Sequence, residues 1–278
     1  MTTPTPHQRK AAIAGVFDRS SETYDSVGVE YFTAFGRRLV DHAGLRPGER
    51  VLDLGCGRGA VTFAAAEAVG ADGEVLAVDL APGMVRRTAE EAAARGLDHV
   101  TVRLGDAEAP EVPEGTTYDA VLLGLVIFFL PDPQGALVTY RGLLGDGGRL
   151  GLTTFPPQPD GGWGRVGKVF QRYLPGGRNV ARPDEGPLAS PDALAATLRE
   201  AGFADVRSET ESFDTAFRDL DHWWQWAWSH GQRAALERVP ADQLDDLQAE
   251  CYEILRGESD DTGALRLRQY VTYTVASV

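Results

Sequence analysis

The sequence predicts an α/β fold with a mostly parallel sheet, and three observations carry that prediction. Apolar runs alternate with helical patterns from residue 50 to about 155, the signature of repeated strand–helix units. The first run, Val51-Leu52-Asp53-Leu54, opens into Gly55-Cys56-Gly57-Arg58-Gly59 and then a helical pattern from Ala60. The chain can therefore turn tightly off a strand and aim a helix N-terminus at whatever sits there. Finally, 278 residues with 43% hydrophobic content and no fixed-period repeat are enough for one large core or two modest ones.

Taken in order, the strands fall at 50–54, 74–79, 100–104, 120–123 and 149–153, with helices between them near 60–69, 82–95 and 134–144. Gly96 stops the second of these helices, and Gly147 with Gly148 the third. A helix over 191–200 starts with Ser190 as N-cap and Pro191 in its first turn, and ends before Gly202. Two more strands follow at 205–212 and 268–276. Ahead of the sheet, residues 7–43 read as two amphipathic helices joined around 20–28. Two segments interrupt the alternation: 156–187, rich in Gly, Pro and Arg, and the helical stretch 214–263. All three irregular segments are expected to cover one edge of the sheet.

Composition excludes several classes. The longest apolar run, 120–130, is short of the roughly 18 residues of a membrane span, and MTTPTPHQRK lacks a hydrophobic signal core, so a cytoplasmic protein without a membrane partner is expected. Cys56 and Cys251 are too far apart for a metal-ligand spacing, so neither a disulfide framework nor a metal site is expected. A formal charge of −14 opposes a polyphosphate backbone, which disfavours nucleic acid and leaves a small molecule or a protein as partner.

In a parallel α/β sheet ligands bind beyond the carboxyl ends of the strands. Three acids fall there: Asp53 in the first strand, Asp79 ending the second and Asp106 after the third. Gly55, Gly57 and Ala60 also satisfy G-x-G-x-x-G/A, so the glycines alone do not choose between cofactors. Asp79, about twenty residues on, suits a ribose in either case. Asp53 is more selective: a carboxylate inside the strand opposes a pyrophosphate and suits a cationic ligand. Asp106 with Ala107 offers a carboxylate and a neighbouring amide to an adenine edge.

With VLDLGCGRG, VLAVDLAPGMV, VRLGDAE, YDAVLLGLVIFFLPDP and LLGDGGRLGLTTF, residues 45–155 resemble the class I S-adenosylmethionine-dependent methyltransferases. The ubiquinone and menaquinone type and its natural-product relatives are the nearest flavour, and VFDRSSETYDSVGVEYF near the N-terminus resembles them too. The resemblance implies a Rossmann-like sheet of seven strands, mostly parallel, in the order 3-2-1-4-5-7-6, flanked by helices and carrying a helical cap. Residues 1–44 would form an N-terminal helical lid, and 45–278 the methyltransferase domain with cap insertions at about 156–187 and 214–263. The implied activity is methyl transfer from S-adenosylmethionine to a small-molecule acceptor, at oxygen or carbon, in secondary metabolism. By position, Asp53 and the amides of Gly55 and Gly57, around Cys56, would hold the methionine part, Asp79 the ribose, and Asp106 with Ala107 the adenine. Leu80 and Met84 would pack on the base, Leu123 or Gly124 would lend a carbonyl, and Tyr24 would reach the cofactor carboxylate.

Some features depart from the family pattern. Relatives often carry a polar or His-containing run after the fourth strand, where this chain has Leu125-Val126-Ile127-Phe128-Phe129, which makes Phe128 and Phe129 substrate-facing candidates. The Asn/Asp-Pro-Pro-aromatic motif of nucleobase and amide methylation is missing. About fifty residues separate the last two strands, and this insertion is the expected specificity element. Within it, Trp223, Trp226 and His230 share one helix face and Trp224 with Trp228 a second. These aromatics read either as core packing or as a pocket wall, and in the second case His222 or His230 is a candidate general base for a hydroxyl acceptor. Arg165, Lys168 and Arg172 at i, i+3 and i+7, followed by Arg178 and Arg182, read either as a solvated face or as recognition of an anionic substrate such as a free acid, a diphosphate or a carrier-bound acyl group. Two further readings stay open: a cofactor-binding enzyme of this fold that catalyses a non-methylating reaction such as cyclisation, and a non-catalytic cofactor-binding partner protein.

Overall fold

The computed structural model describes residues 4–29, 31–156, 161–174 and 186–278. Among these, seven strands form one sheet in the order β3-β2-β1-β4-β5-β7-β6, as the resemblance implies. They are β1 (Arg50–Leu54), β2 (Glu74–Asp79), β3 (Val100–Leu104), β4 (Tyr118–Leu123), β5 (Leu144–Thr154), β6 (Ala204–Phe217) and β7 (Leu265–Ser277). All neighbours are parallel except β7, which runs antiparallel to both β5 and β6. Helices α3 (Ala60–Val69), α4 (Pro82–Ala94), α5 (Pro133–Leu143) and α7 (Pro191–Glu200) connect the strands. The N-cap of α7 is Ser190, whose hydroxyl accepts from Ala193 N at 3.1 Å. The chain enters through α1 (Pro6–Ser20) and α2 (Phe32–Ala43).

The strand period sorts the core into two layers. Leu52 and Leu54 of β1 face α5 and α7, in a cluster with Leu137, Tyr140, Leu194 and Leu198. Val51 faces the other way, toward α2 and α3, with Leu39, Ala65 and Val69. Asp53, two residues on from Val51, is thus a carboxylate on the α3 side of a fully buried strand.

Two expectations need correction. Gly147 and Gly148 do not stop a helix: α5 ends at Leu143 and both glycines lie in the irregular start of β5. The last two strands are also longer than expected. Thr272 pairs with Thr154 at the end of β5, whereas β7 begins at Leu265, opposite Phe217. At about 3.3 Å per residue the β6–β7 ribbon therefore rises about 23 Å past the carboxyl edge of the sheet. Hydroxyl pairs Ser208–Thr274 and Thr210–Thr272, both at 2.8 Å, and the Arg268–Asp214 bond at 2.8 Å tie its strands together.

That ribbon carries the cap. Its top is joined by α8 (Leu220–Trp228), α9 (Arg233–Leu236) and α10 (Leu244–Arg256), and α6 (Gly162–Tyr173) follows β5 onto the same side. Phe217, Leu265, Leu267, Trp223, Trp226, Val166, Phe170, Leu247 and Cys251 join one buried cluster with Tyr31 and Phe35 near and in α2. Among the described residues no helix is long and apolar enough to cross a membrane, and no cluster of side chains is suited to a metal ion.

Candidate active site

The site is built at the carboxyl ends of β1, β2 and β4. After β1 the chain turns through Gly55 (φ 71°), Gly57 (φ 52°) and Gly59 (φ 84°), a left-handed path that side chains rarely follow. A methyl group at Gly55 would lie 2.4 Å from Val126 Cγ2, so this turn also needs the absence of a side chain where the β4 segment crosses it.

The turn's amides do something other than expected. Gly55 N–H donates to the Val78 carbonyl at 2.7 Å, and Gly57 N–H donates to Asp79 Oδ2 at 2.8 Å. Both amides are bonded to β2, and the glycines also allow a close approach to the turn. Asp79 is locked by these bonds, its Oδ1 accepting from Ala81 N at 2.8 Å. Burial pushes its carboxyl above the usual value, and the backbone donors oppose that shift.

Asp53 is fully buried. Its Oδ2 accepts from Thr62 Oγ1 at 2.6 Å, a hydroxyl in the first turn of α3, while Oδ1 has no protein partner. Burial pushes its carboxyl up to about 7, against the lowering effect of the Thr62 bond. An orphaned carboxylate oxygen on a buried strand is costly. It fits a positively charged ligand group, the ammonium of S-adenosylmethionine. Beside it Cys56 is buried and its thiol is pushed well up, as a packing residue rather than a nucleophile.

The remaining rim follows from β2, β3 and β4. Met84 is fully buried and Leu80 half-buried at the start of α4. Asp106 accepts from Glu108 N at 3.0 Å and from Lys10 Nζ of α1 at 2.6 Å, and Lys10 also pairs with Glu108. The Ala107 carbonyl accepts from Tyr140 Oη at 2.8 Å. Leu123 is fully buried, and a methyl group at Gly124 would meet Val61 at 2.8 Å. Leu125 then adopts φ 59°, its N–H donating to Thr153 Oγ1 at 2.8 Å, and the reversed backbone leads into Phe128 and Phe129.

Helix α1 and the segment after it close over these groups. Asp18 accepts from Gly83 N at the start of α4 at 2.6 Å, and Arg58 donates to the Ser21 carbonyl at 2.6 Å. Tyr24 lies 3.9 Å from where a Gly57 side chain would be and stacks on Phe32 with ring centres 4.5 Å apart. Phe17 meets Phe129 edge to face at 5.4 Å, and Phe128 contacts both Phe129 and Phe155. The cap completes this aromatic roof, since a side chain at Gly231 would touch Phe17 at 3.3 Å and Phe129 at 3.7 Å. Lys10, Phe17, Asp18 and Thr62 escaped sequence reasoning because each acts through a partner distant in the chain, apart from Thr62, whose place one helical turn past the glycines was a usable signal.

The cap candidates separate. His230 enters the roof: its ring meets Trp226 at 4.0 Å and Phe32 at 5.7 Å, both edge to face. His222 does not, because its Nδ1 accepts from Arg218 N at 3.2 Å and its Nε2 lies 2.7 Å from the Val27 carbonyl. With both ring nitrogens held by backbone, it clamps the α1–α2 link to the cap and has no lone pair to offer as a base. Trp226 packs with Tyr31, Phe217 and Trp163, and Trp223 toward Trp224 and Tyr252 of α10; both are fully buried in the same core cluster. Arg165 reaches Glu258 at 2.5 Å and Arg172 pairs with Glu250, both largely exposed. They lie on an exposed face with Lys168 between them. Arg178 and Arg182 lie outside the described residues.

Comparison with known proteins decides the family. A model described as "Methyltransferase domain" matches residues 51–148. Nocamycin O-methyltransferase from Saccharothrix syringae is 40% identical over 246 residues, covering 84% of this chain and 88% of the relative. The chain is a class I S-adenosylmethionine-dependent methyltransferase. Aklanonic acid methyltransferase DauC from Streptomyces sp. (strain C5) is also 40% identical, over 72% of this chain and 96% of its own. Among solved structures, the [4+2]-cyclase SpnF shares the fold over 99% of this chain and 98% of its own, at a TM-score of 0.58 and 17% identity. The methyltransferase thus uses S-adenosylmethionine to methylate a small-molecule acceptor. When bound, that cofactor supplies a methyl group activated on a sulfonium.

Proposed function

We propose that the methyltransferase acts at an acidic oxygen of an apolar small molecule in natural-product biosynthesis. The observation that carries this reading is the division of the site. Asp53, Asp79 and Asp106 lie at the sheet edge, and the aromatic groups gathered across from them are Phe17, Phe128, Phe129 and Phe155 with His230 near by. The acidic side suits the cationic cofactor: Asp53 Oδ1 takes its ammonium, Asp79 its ribose and Asp106 its adenine edge. Tyr24, over Gly57, is placed for the cofactor carboxylate. The other side excludes water and offers an apolar acceptor large contact area.

An acceptor that arrives ionised needs no proton removed, so transfer to it works by alignment, but in so apolar a wall its charge needs a hydrogen-bond donor to offset desolvation. The names of the two 40% identical relatives support oxygen as acceptor and an acid as substrate. Lid α1 and the ribbon-borne cap form the enclosure for the complex.

Incubation with methyl-labelled S-adenosylmethionine and a panel of apolar acids, aklanonic acid among them, tests the reading. The expected result is label in an ester or ether with one S-adenosylhomocysteine formed per turnover. Label in a carbon–methyl bond would refute oxygen as acceptor. Conversion of an acceptor without S-adenosylhomocysteine would refute methyl transfer and favour a cyclase-like reaction.

A further inference from the structure

We infer that His230 is a positioning residue: a neutral imidazole whose Nε2–H hydrogen-bonds the anionic oxygen of the acceptor and takes no proton from it. The inference rests on the reading of the chain as an O-methyltransferase of acidic small molecules, and it gives that reading a recognition element.

Location comes first. His230 follows α8 directly, and its neighbour Gly231 abuts Phe17 of α1 and Phe129 of the post-β4 turn. Its ring also meets Phe32, which stacks on Tyr24 over the glycine turn. The imidazole therefore stands where lid, cap and the turn after β4 converge, on the apolar side of the cradle. No other imidazole is brought to this roof among the described residues, since His222 is held by backbone at both nitrogens.

The second argument is the tautomer. Gln232 N–H lies 3.3 Å from His230 Nδ1, a contact that favours a lone pair on Nδ1 and the proton of the neutral ring on Nε2, against the pull of the Ala227 and His230 carbonyls on a ring N–H. A base needs the opposite at the same atom, a lone pair on Nε2.

The surroundings supply the third. Packed against the ring are Trp226 of α8, Phe32 of α2 and Tyr31 just before it. No carboxylate is recorded against the imidazole among the described residues. Arg233, three residues on, and Arg19 are both paired with Glu237. A protonated imidazole would be desolvated here without a counter-ion, and burial indeed pushes the group down to about 3. A neutral donor facing an anion meets no such penalty and gains a charge-assisted hydrogen bond.

The chemistry then balances without a proton step. A lone pair on the ionised acceptor oxygen forms the O–CH3 bond as the methyl–sulfur bond breaks, and that bond's electron pair goes to sulfur. A carboxylate becomes a neutral ester and the sulfonium a neutral thioether. Nothing is left for a base to remove.

The test uses His230→Gln, whose amide keeps a donor near the Nε2 position, and His230→Phe, which keeps the ring and loses the donor. Binding of anthraquinone-2-carboxylate and of its carboxamide is measured by calorimetry in the presence of S-adenosylhomocysteine, whose own affinity reports an intact cofactor site. His230→Gln is expected to bind the acid within about 3-fold of the parent, and His230→Phe about 10- to 30-fold more weakly, with the carboxamide little changed in either. The pH profile of kcat/KM for an acid acceptor is expected to keep its shape in His230→Gln. Equal acid affinity in His230→Phe and the parent, or a pH limb near neutrality that His230→Gln removes, would overturn the inference. So would a parent protein that binds the acid no better than the carboxamide. Failure of every acid to yield S-adenosylhomocysteine would overturn the O-methylation reading instead, while the binding contrast still decides the role of His230.

Discussion

Replacing Asp53 by Asn should raise the stability of the cofactor-free protein and impair cofactor binding at the same time. The folded state holds the Asp53 carboxyl at about 7 against an ordinary 3.8, because the group is fully buried with one oxygen unpaired. The folded chain thus binds this proton more tightly than the unfolded chain. Stability is greatest below 3.8 and is lost as pH rises toward 7. At about 1.36 kcal/mol per pH unit, the group costs about 2 kcal/mol at pH 5.5 and about 4 kcal/mol at pH 8. The parent should therefore lose about 2 kcal/mol between those pH values that Asp53→Asn does not lose. Other shifted groups are common to both chains and cancel in the comparison. Urea unfolding of both proteins at the two pH values measures this difference. Calorimetry supplies the other half: S-adenosylmethionine should bind the parent about 30-fold more weakly at pH 5.5 than at pH 8, since only the ionised carboxylate faces the ammonium. Asp53→Asn should bind about 100-fold more weakly at pH 8, the loss of a buried charged partner. Identical pH dependence in the two chains, or parent-like affinity in Asp53→Asn, would refute the assignment of the orphaned oxygen to the cofactor.

Further expectations concern the rest of the site. Asp79→Ala removes the acceptor of Gly57 N–H and Ala81 N–H together with the ribose ligand; calorimetry should show cofactor affinity lowered about 30- to 100-fold, and unchanged affinity would sink the ribose assignment. Lys10→Ala cuts α1 from Asp106 and Glu108; stopped-flow should show S-adenosylhomocysteine leaving several-fold faster, with faster amide exchange in α1, and a parent off-rate that rises with salt. Arg165→Ala and Arg172→Ala break exposed pairs with Glu258 and Glu250; stability should move by less than about 1 kcal/mol and steady-state kinetics with an acid acceptor should not move, whereas a large rise in KM would restore these residues to substrate recognition.

The sheet was legible where strands are buried on both faces. Val51 to Leu54 and Val75 to Val78 are covered on both sides, so they read as continuous apolar runs with sharp ends. The last two strands were read at 205–212 and 268–276 but not to their full length, because β6 is polar from Ser208 to Ser212 and buries one face only past the sheet edge. Helix α6 showed only in the i, i+3, i+7 spacing of Arg165, Lys168 and Arg172, because Gly162, Gly164 and Gly167 punctuate it and its buried stripe of Val166, Val169 and Phe170 depends on the cap for a partner. Within the site, the three acids could be placed from strand ends alone. The use of the glycine amides could not, since their acceptors lie on β2, and spacing along α8 could not tell His222 from His230. What separates these two is the Val27 carbonyl, from a segment nearly two hundred residues away.

The strained residue at the end of β4 links the two halves of the site. Leu125 holds φ 59°, a conformation that costs a non-glycine residue about 1–2 kcal/mol. Its one evident compensation is the Thr153 Oγ1 acceptor at the end of β5. The reversal carries the chain across the glycine turn, where Val126 occupies the space left at Gly55, and brings Phe129 up against Phe17 of α1 with Phe128 beside it. A relaxed strand end would send those rings elsewhere and leave the carboxylate edge open to water. The same backbone feature therefore shapes the acidic side, by packing on the turn beside Asp53, and the apolar side, by supplying its rings. The cap meets this segment where Gly231 abuts Phe129 and Phe17, so changes elsewhere in the cap leave the turn beside Asp53 in place.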